Sequence, residues 1–166
     1  MRELELHAQS LRTVAGRYAT GVAVVSAVAG GVDHAMTTNS FASLSLDPLL
    51  VLFCVERSSR FHEALKLTDS FAVSVLPESA VHFARWFSLR GRPLTDQFAD
   101  VPHERSERGV PLVTGALGWI ECEIDSMVSA GDHDIVIGAV HKLRIAEEEA
   151  VPLLFWKGRF LGLPSS

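Results

Sequence analysis

The sequence predicts a mainly β protein, an antiparallel barrel with helices packed on its outside. Two observations lead to this fold class. Apolar runs of strand length recur at residues 49–55, 71–76 and 135–140, and turns that contain glycine follow several segments of this kind. Segments with helical spacing are few. With 166 residues, of which 48% are hydrophobic, the chain can bury a full core, so we expect one domain over residues 1–166.

The first part of the chain predicts a helix and a hairpin. Leu11, Val14, Ala15 and Tyr18 recur at helical spacing, which predicts a helix over about residues 6–18. Strands are expected at 22–28 and 32–36, joined by a turn at two consecutive glycines. The small, polar segment 37–47 is expected to connect this hairpin to the strand at 49–55. Because that strand is continuously apolar, we expect it to be buried on both faces.

The middle of the chain predicts two helices around a strand. Ser58 or Ser59 can cap a helix over residues 60–67, and Pro77 opens a second helix over residues 78–87 after the strand at 71–76. Residues 89–109 follow, with no period and eight charged side chains. Loops of this length in a compact domain are usually functional or disordered, so we interpret this one as a lid or an interface arm.

The last part of the chain predicts two hairpins. From Trp119 onward, residues alternate between a mainly apolar face and a mainly acidic face, which is typical of a half-exposed antiparallel strand. A turn at 130–132 leads into a strand over residues 135–143. A final pair of strands, 153–156 and 159–161, turns at Lys157 and Gly158.

Composition excludes several classes of function. The net charge of −5 argues against binding to the nucleic-acid backbone, which needs a basic surface. No apolar run is long enough for a membrane helix and the N-terminus does not resemble a signal peptide, so we expect a cytoplasmic protein. Cys54 and Cys122 fit no CxxC or zinc pattern, and we interpret them as reduced core thiols.

Three polar constellations are candidates for a functional site. The first is the segment MTTNSF at 36–41 with Ser43 and Ser45, which is either a loop bonded to its own backbone or a polar shelf for a heteroaromatic ligand. The second is ERSSR at 56–60, which is either an ordinary helix cap with surface arginines or an anion site at a helix start. Neither a GxGxxG nor a GxxxxGK[ST] motif is present, so a Rossmann fold and a P-loop are not supported.

The third constellation is GDHD at residues 131–134. A metal site would need further ligands at compatible spacing, and none cluster with this turn, so we assign no metal. His133 is then either a structural turn residue or a ligand contact at the start of a strand. The other histidines show no pairing pattern in the sequence, and no nucleophile elbow is present, so hydrolase chemistry has no support.

These constellations occur in an order that resembles the flavin reductase-like family, which includes the short flavin reductase components of two-component flavin-dependent monooxygenases. The resemblance covers about residues 11–161. It rests on the segments GRYATGV at 16–22, HAMTTNSF at 34–41, SLSLDP at 43–48, DQF at 96–98, EC at 121–122 and GDHDIVIG at 131–138. Two departures are visible: Ala35 stands where glycine is usual, and Leu49 stands where a second proline is common.

The resemblance implies a fold and a set of binding residues. The fold is a split β-barrel of the FMN-binding type, antiparallel and Greek-key-like. The implied contacts to the flavin ring and ribityl chain are Met36, Thr37, Thr38, Asn39 and Ser40; those to the flavin phosphate are Val55, Ser58, Ser59 and Arg60, with Phe87 also near the flavin. The implied contacts to NAD(P)H are His133, Arg159, Phe160 and Arg17.

The resemblance also implies an activity. NADH or NADPH would pass a hydride to FMN or FAD, and the reduced flavin would go to a partner monooxygenase. Since the cofactors carry this chemistry, we assign no catalytic acid or base. Two alternatives stay open: a non-enzymatic flavin-binding protein, and a flavoprotein reductase that holds its flavin tightly and acts on a non-flavin substrate. We also expect a homodimer, because Trp86, Phe87, Trp119 and Trp156 exceed the evident need of one core.

Overall fold

The computed structural model describes residues 3–163, which form short helices and twelve strands. The helices are α1 (Ala8–Ala15), α2 (Arg60–Leu65) and α3 (Val81–Ser88), and a 3-10 turn at Glu78–Ala80 precedes α3. The strands are β1 (Thr20–Gly21), β2 (Ala23–Ala29), β3 (Val32–Thr38), β4 (Ala42–Leu46), β5 (Leu49–Glu56), β6 (Ser70–Val75), β7 (His103–Arg105), β8 (Pro111–Val113), β9 (Gly118–Ala130), β10 (His133–Ile145), β11 (Leu154–Trp156) and β12 (Arg159–Leu161).

Seven strands form one antiparallel sheet in the order β3-β2-β6-β9-β10-β5-β4. No backbone ladder joins the described edge strands β3 and β4, so the sheet is open between them. It is nevertheless strongly curled. The rings of Phe53 on β5 and Phe71 on β6 lie 5.2 Å apart between centroids, although β9 and β10 separate these two strands in the sheet. The predicted mainly β, antiparallel fold with helices on its outside is confirmed.

Two hydrophobic clusters lie on opposite faces of β2. Val25 faces the inside of the curled sheet together with Phe53, Phe71 and the α2 residue Phe61. Val24 faces the other way, toward α3 and β11. Burying an aromatic or aliphatic side chain contributes roughly 1.5–3 kcal/mol, so these clusters hold the helices against the sheet. Burial on both faces, which we predicted for residues 49–55, is instead found in β2, whereas β5 buries one face.

The N-terminal helix is shorter and more exposed than predicted. It spans Ala8–Ala15 instead of residues 6–18, because the His7 side chain accepts from the Ser10 amide at its start and Gly16 ends it. None of its residues is buried, and Leu11 keeps 71% of its surface exposed. Its apolar residues Leu11 and Val14 are therefore largely exposed. Helices across the described range are too short and too polar to cross a membrane.

Two predicted loops contain regular structure. The polar segment 37–47 includes β4, which pairs with β5, because antiparallel pairing satisfies the backbone of this segment. The aperiodic stretch 89–109 includes β7, which pairs with β8. Gln97, Phe98 and Val101 of this stretch are buried, so it packs against the body of the protein.

A bulge changes which face of β9 is buried. Ile137 of β10 pairs with Ser126 of β9, but the next residue, Gly138, pairs with Ile124, so one residue of β9 has no partner on β10. Consequently Met127, which the alternation placed on the acidic face, packs against the inner cluster, while Val128 is exposed.

One carboxylate of the predicted acidic face of β9 is also buried. Glu121 is only 3% exposed and accepts from Arg144 Nη2 at 2.8 Å. A buried carboxylate needs such a partner, because transfer out of water is costly for an unpaired charge. The prediction of a solvent-facing row of acidic residues was therefore wrong at this position.

Candidate functional site

A cavity of about 590 Å³ opens beside the edge strand β3. Its walls come from β3, the end of β5, the start of α2, the end of α3 and the loop that follows α3. The volume lies within the range of about 300–1,000 Å³ that is typical of small-molecule sites. The cavity brings together these residues that the sequence had nominated: Met36, Thr37, Thr38, Asn39, Ser40, Ser58, Ser59, Arg60, Phe87 and His133.

Four nominated residues lie outside this cavity. Val55 is fully buried in the inner cluster, because its strand turns Cys54 and Glu56 toward the cavity instead, so the Val55 side chain does not line the cavity. Phe160 packs against Phe155 in the small sheet β1-β11-β12, with 5.3 Å between ring centroids. Arg159 belongs to the same sheet, and the Arg17 carbonyl accepts from the indole of Trp156 beside it. The structure does not bring Arg159, Phe160 or Arg17 to the cavity.

The polar shelf along the cavity is largely bonded within the chain. Thr37 Oγ1 donates to the Ala84 carbonyl at 2.6 Å, which ties β3 to α3. The other contacts join Thr38 Oγ1 to Ser40 Oγ (2.9 Å), the Cys54 amide to Ser40 Oγ (2.9 Å) and Asn39 Nδ2 to Thr20 Oγ1 (3.2 Å). Both interpretations of this segment apply in part. Its polar side chains bond within the chain and order the segment, whereas the backbone of β3, an edge strand of the sheet, faces the cavity and can offer hydrogen bonds to a ligand.

The segment at the start of α2 supplies the cationic side of the cavity. Ser59 caps α2 by accepting from the His62 amide at 3.1 Å, and Ser58 donates to Glu56 Oε1 at 2.8 Å. Arg60 has no carboxylate partner among residues 3–163. Burial, followed by the charge of Arg60, lowers the pKa of His34. Because no carboxylate pairs with it in the described range, the Arg60 guanidinium can bind a phosphate with charge-assisted hydrogen bonds.

The loop after α3, which the sequence predicted to be a lid or an interface arm, forms a wall of the cavity with side chains that had not been nominated. The Arg92 guanidinium donates to three carbonyls at the end of α3, on Trp86, Phe87 and Leu89, and to the Ala35 carbonyl of β3 at 2.7 Å. Arg90 pairs with Glu56 across the opening at 2.7 Å. The only sequence signal for these contacts was the length and charge of the aperiodic stretch.

His133 lies at the mouth of the cavity, at the start of β10. Its Nδ1 donates to Asp132 at 2.8 Å, and this hydrogen bond lowers the pKa of Asp132. The contact leaves Nε2 of the ring to bond a ligand. No group of three or more potential metal-ligating side chains occurs in the described range.

The two cysteines have different environments, contrary to the prediction of two core thiols. Cys54 is half-buried and lines the cavity, whereas Cys122 is fully buried in the inner cluster. Burial, with a smaller effect of Glu121, raises the pKa of Cys122 to about 12. The thiolate is the reactive form of cysteine, so Cys122 should be inert.

This difference predicts a protection experiment. A thiol reagent such as DTNB is expected to modify one thiol per chain in the folded protein, and a ligand in the cavity should slow that reaction at least severalfold. The measurement is the rate of reagent release with and without excess FMN. Cys54→Ser should abolish the fast reaction, and Cys122→Ser should leave it unchanged. Equal rates with and without FMN would contradict FMN binding in this cavity.

An open antiparallel barrel whose cavity combines an unpaired strand edge with Arg60, which has no carboxylate partner among residues 3–163, has the chemistry that suits an anionic heteroaromatic ligand. Residues 15–164 match the family described as "Flavin reductase like domain". The chain therefore belongs to the flavin reductase-like family, and the predicted family and split-barrel fold are confirmed.

Three known proteins illustrate the similarity. The reductase subunit HsaB of a flavin-dependent monooxygenase from Rhodococcus jostii is 38% identical over 152 residues, which cover 92% of this chain and 76% of that protein. The NADH-dependent flavin reductase StyB from Pseudomonas fluorescens is 37% identical and covers 97% of this chain and 93% of its own. The structure of the NADH:FAD oxidoreductase SgcE6 from Streptomyces globisporus has a TM-score of 0.92 at 36% identity and covers 99% of both chains.

Proposed function

We propose that this protein is an NADH:flavin oxidoreductase that supplies reduced flavin to a partner monooxygenase. The observation that carries the proposal is the single cavity that joins the β3 edge, Arg60 and His133. The names of similar proteins, which describe NADH-dependent reduction of FMN or FAD and monooxygenase reductase subunits, support it. We further propose a cytoplasmic location, which the free thiols Cys54 and Cys122 support.

The residues of the cavity fit a flavin. The outward backbone groups of β3 can bond the polar edge of a flat heteroaromatic ring, because an edge strand presents N–H and C=O groups in alternation. Phe87 lies behind the cavity wall beside this edge, and its ring is almost fully buried. Arg60 and the Ser59 hydroxyl stand at one end, where they can hold a phosphate at the end of the ribityl chain.

The protein contributes binding and orientation to the reaction. A bound flavin supplies the hydride acceptor, and NADH supplies the hydride. Arg60 and Ser59 would hold the phosphate end, and the β3 backbone would hold the ring edge. Because Nδ1 donates to Asp132, Nε2 of a neutral His133 could accept from the nicotinamide carboxamide at the mouth, whereas a protonated ring could donate to a dinucleotide phosphate. Holding the hydride donor and acceptor atoms about 3–3.5 Å apart would accelerate hydride transfer, so no side chain needs to exchange a proton.

A steady-state assay tests the proposal directly. The loss of NADH absorbance should depend on added FMN or FAD, with riboflavin as a third acceptor, and NADPH should be assayed in parallel as donor. Flavin binding with no NADH oxidation would instead establish a flavin-binding protein. Flavin that survives dialysis, with activity toward a non-flavin acceptor, would establish the fixed-flavin reductase.

Replacing His133 by alanine is expected to raise the KM for NADH while changing FMN affinity little. Loss of one oriented hydrogen bond costs about 0.5–1.5 kcal/mol, so the expected rise in KM is roughly two- to tenfold. The measurements are steady-state kinetics and an FMN titration. His141→Ala is a matched control, because His141 lies on the same strand but outside the cavity. Unchanged NADH kinetics with lowered thermal stability would contradict a ligand contact.

We also propose a homodimer; of the four residues first nominated, Trp156 is exposed and stays a candidate, whereas the other three are not. Phe87 is buried, and the indole N–H groups of Trp86 and Trp119 bond carbonyls of this chain at 2.9 and 2.8 Å, so these rings serve its own core. The exposed apolar residues of α1, Leu11 and Val14, instead support a contact with a second copy.

The dimer is tested by sedimentation at micromolar concentration. Wild-type protein is expected to sediment at twice the mass of the 18.1 kDa chain. The double variant Leu11→Glu/Val14→Glu should shift the equilibrium toward monomer, because burying two carboxylates in an apolar contact is costly. Glu3→Gln/Glu5→Gln is a control for charge near the N-terminus. A wild-type monomer would contradict the proposal.

A further inference from the structure

A buried hydrogen-bonded pair, His62 and Asp134, joins α2 to the GDHD turn behind the cavity. His62 Nε2 donates to Asp134 Oδ2 at 2.7 Å, and both side chains are at least nine-tenths buried. The sequence separation is 72 residues, and the histidines had shown no pairing pattern. The hydrogen bond from His62 lowers the pKa of Asp134, so the carboxylate is charged at neutral pH.

Three further contacts make this pair the centre of a small network. Ser129 Oγ donates to Asp134 Oδ1 at 3.0 Å, and Arg57 Nε lies 3.5 Å from the same oxygen. The Arg57 amide donates to the Asp132 carbonyl at 3.0 Å. The network thereby fixes the end of β9 and the start of β10 to the segment that begins α2.

The two elements joined by this network carry the two sides of the cavity. Asp134 is the residue after His133, and His62 lies one helical half-turn after Arg60. A displacement of α2 relative to the turn would move Arg60 and His133 apart, although neither side chain belongs to the network. Displacing binding groups by about 1 Å can cost up to a hundredfold in rate, so such a link has functional consequences.

We propose that His62 and Asp134 are positioning residues that hold the phosphate side of the cavity and His133 at a fixed separation. The inference rests on the proposed function in assigning flavin phosphate to Arg60 and nicotinamide to His133. It requires that loss of the pair weaken both ligands together. A role confined to folding would lower stability and leave both affinities unchanged.

The test compares His62→Ala, Asp134→Ala and their combination with wild type. Affinities for FMN and for NAD⁺ are measured by titration without turnover, and the exchange rate of the Arg57 amide is measured by hydrogen exchange. Both single variants should bind FMN and NAD⁺ roughly tenfold more weakly. The double variant should bind FMN and NAD⁺ about as tightly as the single variant with the lower affinity, because the two residues act as one unit. The Arg57 amide should exchange faster in all three.

Two further variants separate positioning from stability. Asp134→Asn keeps an acceptor for His62, so it should recover most of the affinity lost in Asp134→Ala. Ser74→Ala removes a buried hydroxyl that accepts from the Val113 amide at a distance of 3.1 Å. Ser74 does not line the cavity, so this variant should lower thermal stability without changing either ligand affinity. Ligand affinities that stay at wild-type values, or a loss confined to one ligand, would overturn the proposal. A wild type that binds both ligands but oxidises no NADH would overturn the proposed activity and not this one.

Discussion

Replacing Arg60 by alanine is expected to weaken FMN and FAD binding by about tenfold to a hundredfold and to leave riboflavin binding nearly unchanged. The guanidinium lines the cavity and pairs with no carboxylate in the described range, so it is available to a phosphate. A hydrogen bond to a charged group contributes about 1.5–3 kcal/mol, which corresponds to this change in affinity. Riboflavin has no phosphate and therefore lacks the contact. The measurement is the quenching of flavin fluorescence during titration.

Arg85→Ala is the matched control for this prediction. Arg85 is an exposed arginine on α3 that does not line the cavity, so its removal changes the net charge equally. We expect it to leave all three flavin affinities close to wild type. An equal loss of riboflavin affinity in Arg60→Ala would show that Arg60 acts through folding or through the ring. An Arg85→Ala loss as large as that of Arg60→Ala would show a general charge effect.

Gly138→Ala is expected to destabilise the fold by about 1–3 kcal/mol, the usual range for overpacking a core. A Cβ at this position would clash with Phe71 Cζ and would lie 2.9 Å from the Cβ of Cys122. Phe71 cannot move away freely, because its ring is 1% exposed and packs edge-on against Phe53. Each kcal/mol corresponds to about 2–4 °C in Tm for a chain of this size. Thermal and urea unfolding measure the change.

A compensating variant shows whether the clash is the cause. Phe71→Leu shortens the side chain that the new Cβ meets, so the double variant Gly138→Ala/Phe71→Leu should lose less stability than the sum of the two single changes. Gly21→Ala is the control, because no heavy atom lies within 4 Å of a Cβ built there. Strict additivity of the two changes would contradict a clash with Phe71.

Local features of this protein could be predicted from the sequence, because their causes lie within a few residues. Gly31 and Gly131 have positive φ and form the turns that the strand pattern required. Ser59, one of the two serines predicted as the cap, caps α2. The polar shelf could be found as well, since hydroxyl and amide side chains between two apolar strands need partners. The resemblance to a known family then assigned a cofactor to these residues.

The tertiary structure alone decided which of these residues meet. Continuous apolar sequence does not say which face of β5 is buried. The resemblance implied a contact by Val55, whereas the side chain of its neighbour Cys54 lines the cavity. The wall around Arg92 and the link between His62 and Asp134 depend on contacts between distant segments, which leave no periodic signal in the chain. Sequence patterns report the average environment of a strand or helix, whereas a site is set by pairwise distances that exist only after the sheet has curled.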